Sequence, residues 1–167
     1  MKKVLAVASI GGHWIQLLRI ARPMEGHYEM VYVSTHPKCA TMVEGQKFCQ
    51  TTDFSRSDAW KLIPSFFKAM KTIRKEKPEA IITTGAAPGL VYLLAGKLLG
   101  RKTIWIDSIA NAEHLSASGR MASRFASRTY TQWENLATGK IQYAGNVFGK
   151  LPHQSLITNH QSLITNH

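Results

Sequence analysis

Apolar residues along this chain fall into short unbroken runs, separated by glycine turns and by stretches where they recur every three or four positions. The first run, Val4-Leu5-Ala6-Val7-Ala8-Ser9, shows no polar alternation. That is expected of a central parallel strand buried on both faces. Trp14, Leu17, Leu18 and Ala21 follow at helical spacing, and Pro23 closes a predicted helix over 13–22. Further strands are predicted at 30–34, more weakly at 47–51, and at 80–83 and 103–107. Helices are predicted over 59–76, with Pro64 near the start and Pro78 beyond the end, and over 89–99. A polar stretch at 108–123 leads to short strands near 128–132 and 140–144. Strand, glycine turn and helix alternate throughout. The predicted fold class is therefore α/β: a single doubly wound, Rossmann-like domain over 1–150 with a mostly parallel sheet.

The final residues break this pattern. QSLITNH at 154–160 is repeated at 161–167, with no such period elsewhere. We expect residues 151–167, with His153, His160 and His167, to form a non-native-looking, disordered tail outside the fold.

Composition narrows the partners. The chain has 167 residues, 44% of them hydrophobic and 19% charged, enough apolar material for one packed domain. Lys and Arg number 21 against 10 Asp and Glu, a net charge of +11 that favours an anionic partner. Helix-turn-helix and RNP-type patterns are absent, so no nucleic acid is expected. Cys39 and Cys49, ten residues apart, make neither a disulfide framework nor a zinc site. The first apolar run is far shorter than the ~20 residues that cross a bilayer, so membrane contact is expected to be peripheral, with no transmembrane segment.

Candidate chemistry lies at strand ends, where open α/β sheets bind ligands. After the first strand comes Gly11-Gly12-His13, where paired glycines let backbone N–H groups approach an anion at a helix N-terminus. A third glycine and a ribose-binding acid are missing, so this is no dinucleotide fingerprint; no Gly-Lys-Ser/Thr follows, so it is no phosphate loop either. His13, in the first turn, is placed as a base or a phosphate contact, and a helix N-terminus disfavours the imidazolium. The second such end is Thr83-Thr84-Gly85-Ala86-Ala87-Pro88-Gly89, and the third is Asp107-Ser108 with its polar continuation. In the helix over 59–76, Leu62, Ile63, Phe66, Phe67, Met70 and Ile73 form an apolar stripe, expected to face inward. Lys61, Lys68, Lys71, Arg74, Lys75 and Lys77 cover the remainder, and Lys68, Lys71, Arg74 and Lys75 are the candidate membrane-facing cations.

Taken together, Gly-Gly-His at 11–13, Thr-Thr-Gly at 83–85 with Pro88-Gly89, Asp107-Ser108 before Leu-Ser-Ala-Ser-Gly-Arg at 115–120, and Thr-Gln-Trp at 131–133 before Tyr143-Ala144-Gly145 carry a resemblance. In that order they resemble bacterial PssD-type exopolysaccharide proteins and the asparagine-linked-glycosylation (Alg) protein fourteen. Both are similar to the N-terminal domain of MurG. The resemblance implies the N-terminal half of a GT-B glycosyltransferase divided between two polypeptides. A separate subunit would bind the UDP-sugar, GlcNAc or similar. This chain would dock on the anionic cytoplasmic face of the inner membrane and hold a polyprenyl-diphosphate-linked acceptor. It implies His13 as catalytic base or diphosphate contact, Asp107 as the second candidate base, and Gly11, Gly12, Thr84, Gly85, Gly89 and Ser108 as substrate-binding positions. No metal and no cofactor are expected, and the chain alone is expected to be inactive. The eukaryotic relatives carry a membrane-spanning anchor that this N-terminus does not show. The rival readings are a non-catalytic adaptor that only anchors and activates its partner, and a free-standing nucleotide-binding α/β protein.

Overall fold

In the computed structural model, which describes residues 1–149, seven strands form one sheet in the order β3-β2-β1-β4-β5-β6-β7. They are β1 (Lys3–Ala8), β2 (Glu29–Ser34), β3 (Lys47–Gln50), β4 (Ala80–Thr83), β5 (Lys102–Ile106), β6 (Arg128–Thr131) and β7 (Ile141–Tyr143). Every neighbouring pair is parallel; Leu5, for example, lies level with Val31 on one side and Ile81 on the other. The fold is thus the doubly wound α/β layer expected from the sequence, and its strand order reverses between β1 and β4. The duplicated tail lies outside the described residues.

The apolar run of β1 is divided by the pleat. Leu5 and Val7 join a core with α2 (Leu62–Glu76), α3 (Ala86–Leu98) and α4 (Ala117–Ala122) on one face. Val4, Ala6 and Ala8 meet Trp14, Leu17, Leu18 and Ala21 of α1 (Gly12–Ala21) on the other. Burial on both faces is why these strands read as continuous hydrophobic runs. At the base of the sheet Glu76, its side chain 2% exposed, pairs with Lys3 and with Lys47, the latter at 2.8 Å.

Three local outcomes differ from the sequence-based expectation. Helix α3 begins at Ala86, three residues before 89, because Pro88 sits within the first turn, where its missing N–H has no intrahelical partner to lose. The polar stretch contains α4, capped by the Ser116 side chain accepting from the Gly119 N–H. The apolar stripe of α2 does not point wholly inward. Ser65, Ala69, Ile73 and Glu76 are buried, whereas Leu62, Ile63 and Phe67 are 47%, 66% and 65% exposed. At 3.6 residues per turn, Ile63 and Phe67 lie roughly 140° from that inward line, in the sector of Lys71 and Arg74. The chain reverses after α2 through Lys77 in the left-handed conformation, followed by Pro78.

Candidate functional site

The strand-order reversal leaves a crevice beyond the carboxyl ends of β1 and β4, and both loops there are tied to each other. His13 Nδ1 lies 3.0 Å from the carbonyl oxygen of Thr84, and the Thr84 hydroxyl donates to the carbonyl of His13 at 2.6 Å. A carbonyl only accepts, so Nδ1 carries the hydrogen, and in the neutral ring Nε2 holds the lone pair. Gly85, at φ +136°, packs under the imidazole: a Cβ there would meet His13 Cε1 at 2.6 Å and Nδ1 at 2.7 Å. The glycine is needed twice, for its backbone conformation and for this contact. The next residue, Ala86, also has positive φ, +68°.

His13 lines a cavity of about 260 Å³ with Ala86, Ser108, Asn111, Ser116 and Ser118. The N-termini of α1 and α3 therefore converge on this space from the two tied loops, and their dipoles favour an anion in it. The far wall is the segment after β5. Asp107, 1% exposed, is its organiser. Its Oδ1 accepts from Trp105 Nε1 at 2.9 Å and from the Ser116 hydroxyl at 2.6 Å; its Oδ2 accepts from Asn111 Nδ2 at 3.0 Å and the Ser116 N–H at 2.9 Å. A carboxylate offers about four lone-pair positions. All four are taken by the protein. Gly119 belongs to the same construction, since a Cβ there would meet Asp107 Oδ1 at 2.5 Å.

Behind this wall lies a buried amide pair that the sequence pattern did not single out. Gln16 of α1 (5% exposed) and Gln132 after β6 (2% exposed) meet at 2.7 Å, Nε2 of Gln132 donating to Oε1 of Gln16. The same Nε2 donates to the Asp107 carbonyl at 2.9 Å. Gln16 reaches the loop through Ser108 and the Ile109 N–H, and Trp133 Nε1 donates to the Ile109 carbonyl at 2.7 Å. In the sequence, Gln132 stands in the Thr-Gln-Trp motif at 131–133, one of those that carry the resemblance.

The structure places the expected site residues differently. His13 and Ser108 line the cavity. Thr84, Gly85 and Asp107 stand behind it, holding the wall residues in place. Gly89 is buried against β4, where a Cβ would collide with the Thr83 side chain, so it serves close packing of α3 on the strand and not ligand contact. Gly11, at φ +101°, caps α1, and Gly12 opens it; both are exposed with open space where a Cβ would stand. The candidate cations Lys68, Lys71, Arg74 and Lys75 are all exposed on α2. Among the described residues, no group of three or more His, Cys, Asp or Glu side chains could hold a metal ion, and no helix is long and apolar enough to cross a membrane. A larger hollow of about 310 Å³, lined by Ile20, Ile106, Tyr130 and Val147 among others, lies over β5 and β6 and is mainly apolar.

The model of the family described as oligosaccharide biosynthesis protein Alg14 like matches residues 53–147, more than half of the chain. The chain belongs to this Alg14-like family. The match takes in the Thr84–Gly85 loop, the Asp107 wall and Gln132. The UDP-N-acetylglucosamine transferase subunit ALG14 of Yarrowia lipolytica is 25% identical over 162 residues, covering 81% of this chain and 75% of that protein. Among solved structures, MurG of Acinetobacter baumannii superposes with a TM-score of 0.75 at 17% identity, covering 92% of this chain and 48% of MurG. The UDP-N-acetylglucosamine 2-epimerase of Rickettsia bellii gives 0.67 at 13% identity, over 99% of this chain and 49% of the epimerase. The Alg14-like chain spans about half the length of these solved structures. Its fold is that of the N-terminal half of a MurG-like GT-B protein.

Proposed function

We propose that this Alg14-like chain is the acceptor-side subunit of a two-polypeptide glycosyltransferase, working with a separate subunit that binds the nucleotide sugar. The observation that supports this most directly is the finished wall of one side of a cleft: the loops of β1 and β4 are tied at the switch point and the Asp107 wall is fully bonded, on a fold like that of the N-terminal half of MurG. In this reading the donor is a UDP-sugar, GlcNAc or a close relative, and the acceptor is a polyprenyl-diphosphate-linked sugar in lipid-linked oligosaccharide or exopolysaccharide synthesis.

The geometry supports the following chemistry. The acceptor diphosphate lies in the cavity between the α1 and α3 N-termini, its charge met by backbone N–H groups. His13 Nε2 takes the proton from the acceptor hydroxyl as that oxygen bonds to the anomeric carbon and the nucleotide diphosphate leaves. Thr84 fixes the tautomer and direction of the imidazole. Asp107 is a positioning residue, because its lone pairs are already occupied. This replaces the base role considered for it from sequence.

The exposed sector of α2, with Ile63 and Phe67 beside Lys71 and Arg74, and with Trp60 74% exposed just before the helix, supports peripheral docking on an anionic membrane at its cytoplasmic face. Apolar side chains enter the headgroup boundary while the cations meet phosphates, an arrangement stronger than the all-basic face expected from sequence.

The test is sugar transfer to endogenous acceptor on native membranes by this chain, by its donor-binding partner subunit, and by the pair. Transfer by the pair alone is expected; transfer by this chain alone, or an undiminished rate for His13→Ala in the pair, would overturn the respective part of the reading. Full activity with both His13 and Asp107 replaced would indicate the non-catalytic adaptor.

A further inference from the structure

The polarity of the Ser108 hydroxyl can be deduced without seeing a hydrogen atom. A backbone N–H can only donate. The Ile109 N–H points at one end of the Gln16 amide at 3.0 Å, so that end is Oε1 and the other is the NH2 group. This NH2 group lies 3.1 Å from Ser108 Oγ and therefore donates to it. The Ala110 N–H donates to the same oxygen at 3.2 Å. Gln132 is oriented by the same logic: the Val147 N–H donates to its Oε1 at 3.1 Å, which turns its NH2 group towards Gln16 Oε1.

Both lone pairs of Ser108 Oγ are thereby used, and one hydrogen-bonding capacity is left, its own proton. The residue is 7% exposed and lines the cavity together with His13. We propose that Gln16 is a positioning residue that forces Ser108 to act solely as a hydrogen-bond donor, directed at an oxyanion of the diphosphate bound between the α1 and α3 loops. The inference rests on the acceptor-side reading for the identity of the ligand. The polarity itself rests only on the hydrogen bonds above. Neighbouring Ser116 cannot take this part, because its hydroxyl already donates to Asp107 and accepts from Gly119.

One atom exchange tests the device. In Gln16→Glu the side chain still accepts from Ile109 and Gln132, but the NH2 group becomes a carboxylate oxygen. Ser108 must then rotate to donate to the new carboxylate, and its proton is withdrawn from the cavity. The fold keeps its bonds while the ligand loses a charge-assisted one.

Inorganic pyrophosphate titrated into the full chain by calorimetry is the readout, with thermal melting as the control. Gln16→Glu is expected to weaken pyrophosphate binding about tenfold or more with the melting temperature held, and Ser108→Ala to do the same. The double variant is expected to be no weaker than Gln16→Glu alone. Should Gln16→Glu melt early, Ser108→Ala carries the test. Unchanged affinity in Ser108→Ala, strictly additive losses, or a wild-type chain that does not bind pyrophosphate would overturn the proposal. The active pair separates the two readings. Sugar transfer with an unaltered acceptor KM in Gln16→Glu would sink the inference and leave the proposed function. Gln16-dependent pyrophosphate binding by a pair that transfers no sugar would do the reverse.

Discussion

Replacing Gly85 by alanine separates two penalties that this site combines. The backbone at Gly85, φ 136° and ψ −170°, lies in a region open essentially only to glycine, where another residue costs about 1–3 kcal/mol. The added methyl also meets the His13 ring at 2.6–2.7 Å, and such overpacking costs a further ~1–3 kcal/mol. Gly11 and Gly12 supply the internal controls. Gly11 is at φ 101° with open space around its would-be Cβ, so alanine there incurs the backbone term alone. Gly12 has neither problem, and alanine there should change stability by less than about 0.5 kcal/mol. For a domain of this size 1 kcal/mol moves the melting temperature by roughly 2–4 °C. Thermal unfolding of the isolated chain should thus rank the variants Gly12→Ala, Gly11→Ala, Gly85→Ala, with falls of about 1, 5 and 10 °C. Equal falls for Gly11→Ala and Gly85→Ala would refute the steric argument, and with it the claim that His13 is pressed against the β4 loop.

Other perturbations address separate parts of the structure. Asp107→Ala orphans the Trp105, Asn111 and Ser116 donors, so it should lower stability by about 3 kcal/mol or more and speed hydrogen exchange over 107–118; lost transfer with an unchanged melt would instead mark a base. For Glu76, burial raises the carboxyl pKa, but the hydrogen bond from Lys47 and the charges of Lys47 and Lys3 outweigh it and leave it below its ordinary 4.5. A lowered carboxylate stabilises above its unfolded value and loses that contribution as pH falls through the folded one. Chemical denaturation from pH 7 down to pH 3 should therefore show wild-type stability falling below about pH 4.5, a fall that Glu76→Gln shows less of. On anionic vesicles, replacing Ile63 and Phe67 together by serine should weaken binding at least about a hundredfold, since each buried side chain contributes roughly 1.5–3 kcal/mol. Sedimentation equal to wild type would exclude this sector of α2 as the membrane face.

The frame of the molecule was readable because it depends on local periodicity. Uninterrupted runs such as Val4 to Ser9 and Ala80 to Thr83 are what two-sided burial requires, and the glycines after them marked the crevice. What failed depended on neighbours far along the chain. The outward turn of Ile63 and Phe67 is set by which side of α2 meets the sheet, and a broad apolar stripe does not say which half of it that will be. Gln16 lies off the Trp14–Leu17–Leu18–Ala21 stripe, on a side that periodicity assigns to solvent. It is buried because Ser108, Ile109 and Gln132, the last 116 residues away, fold over it. Helix α4 was hidden by its small polar residues, and only the Ser116 cap and the space left by Gly119 for Asp107 explain it. Asp107 drew attention as a carboxylate at a strand end. Its four hydrogen-bond donors, two from Ser116 and one each from Trp105 and Asn111, come from positions that a linear pattern does not relate.

The mutual hydrogen bonds between His13 and Thr84 join two loops more than seventy positions apart within a single chain. The tie is therefore made within this chain, from its own residues. On the split-enzyme reading, half of the reaction centre is stockpiled in finished form, and encounter with the partner supplies only the opposing wall. Turnover would then follow the law of mass action for two separately produced chains. A cell could set the output by limiting either one.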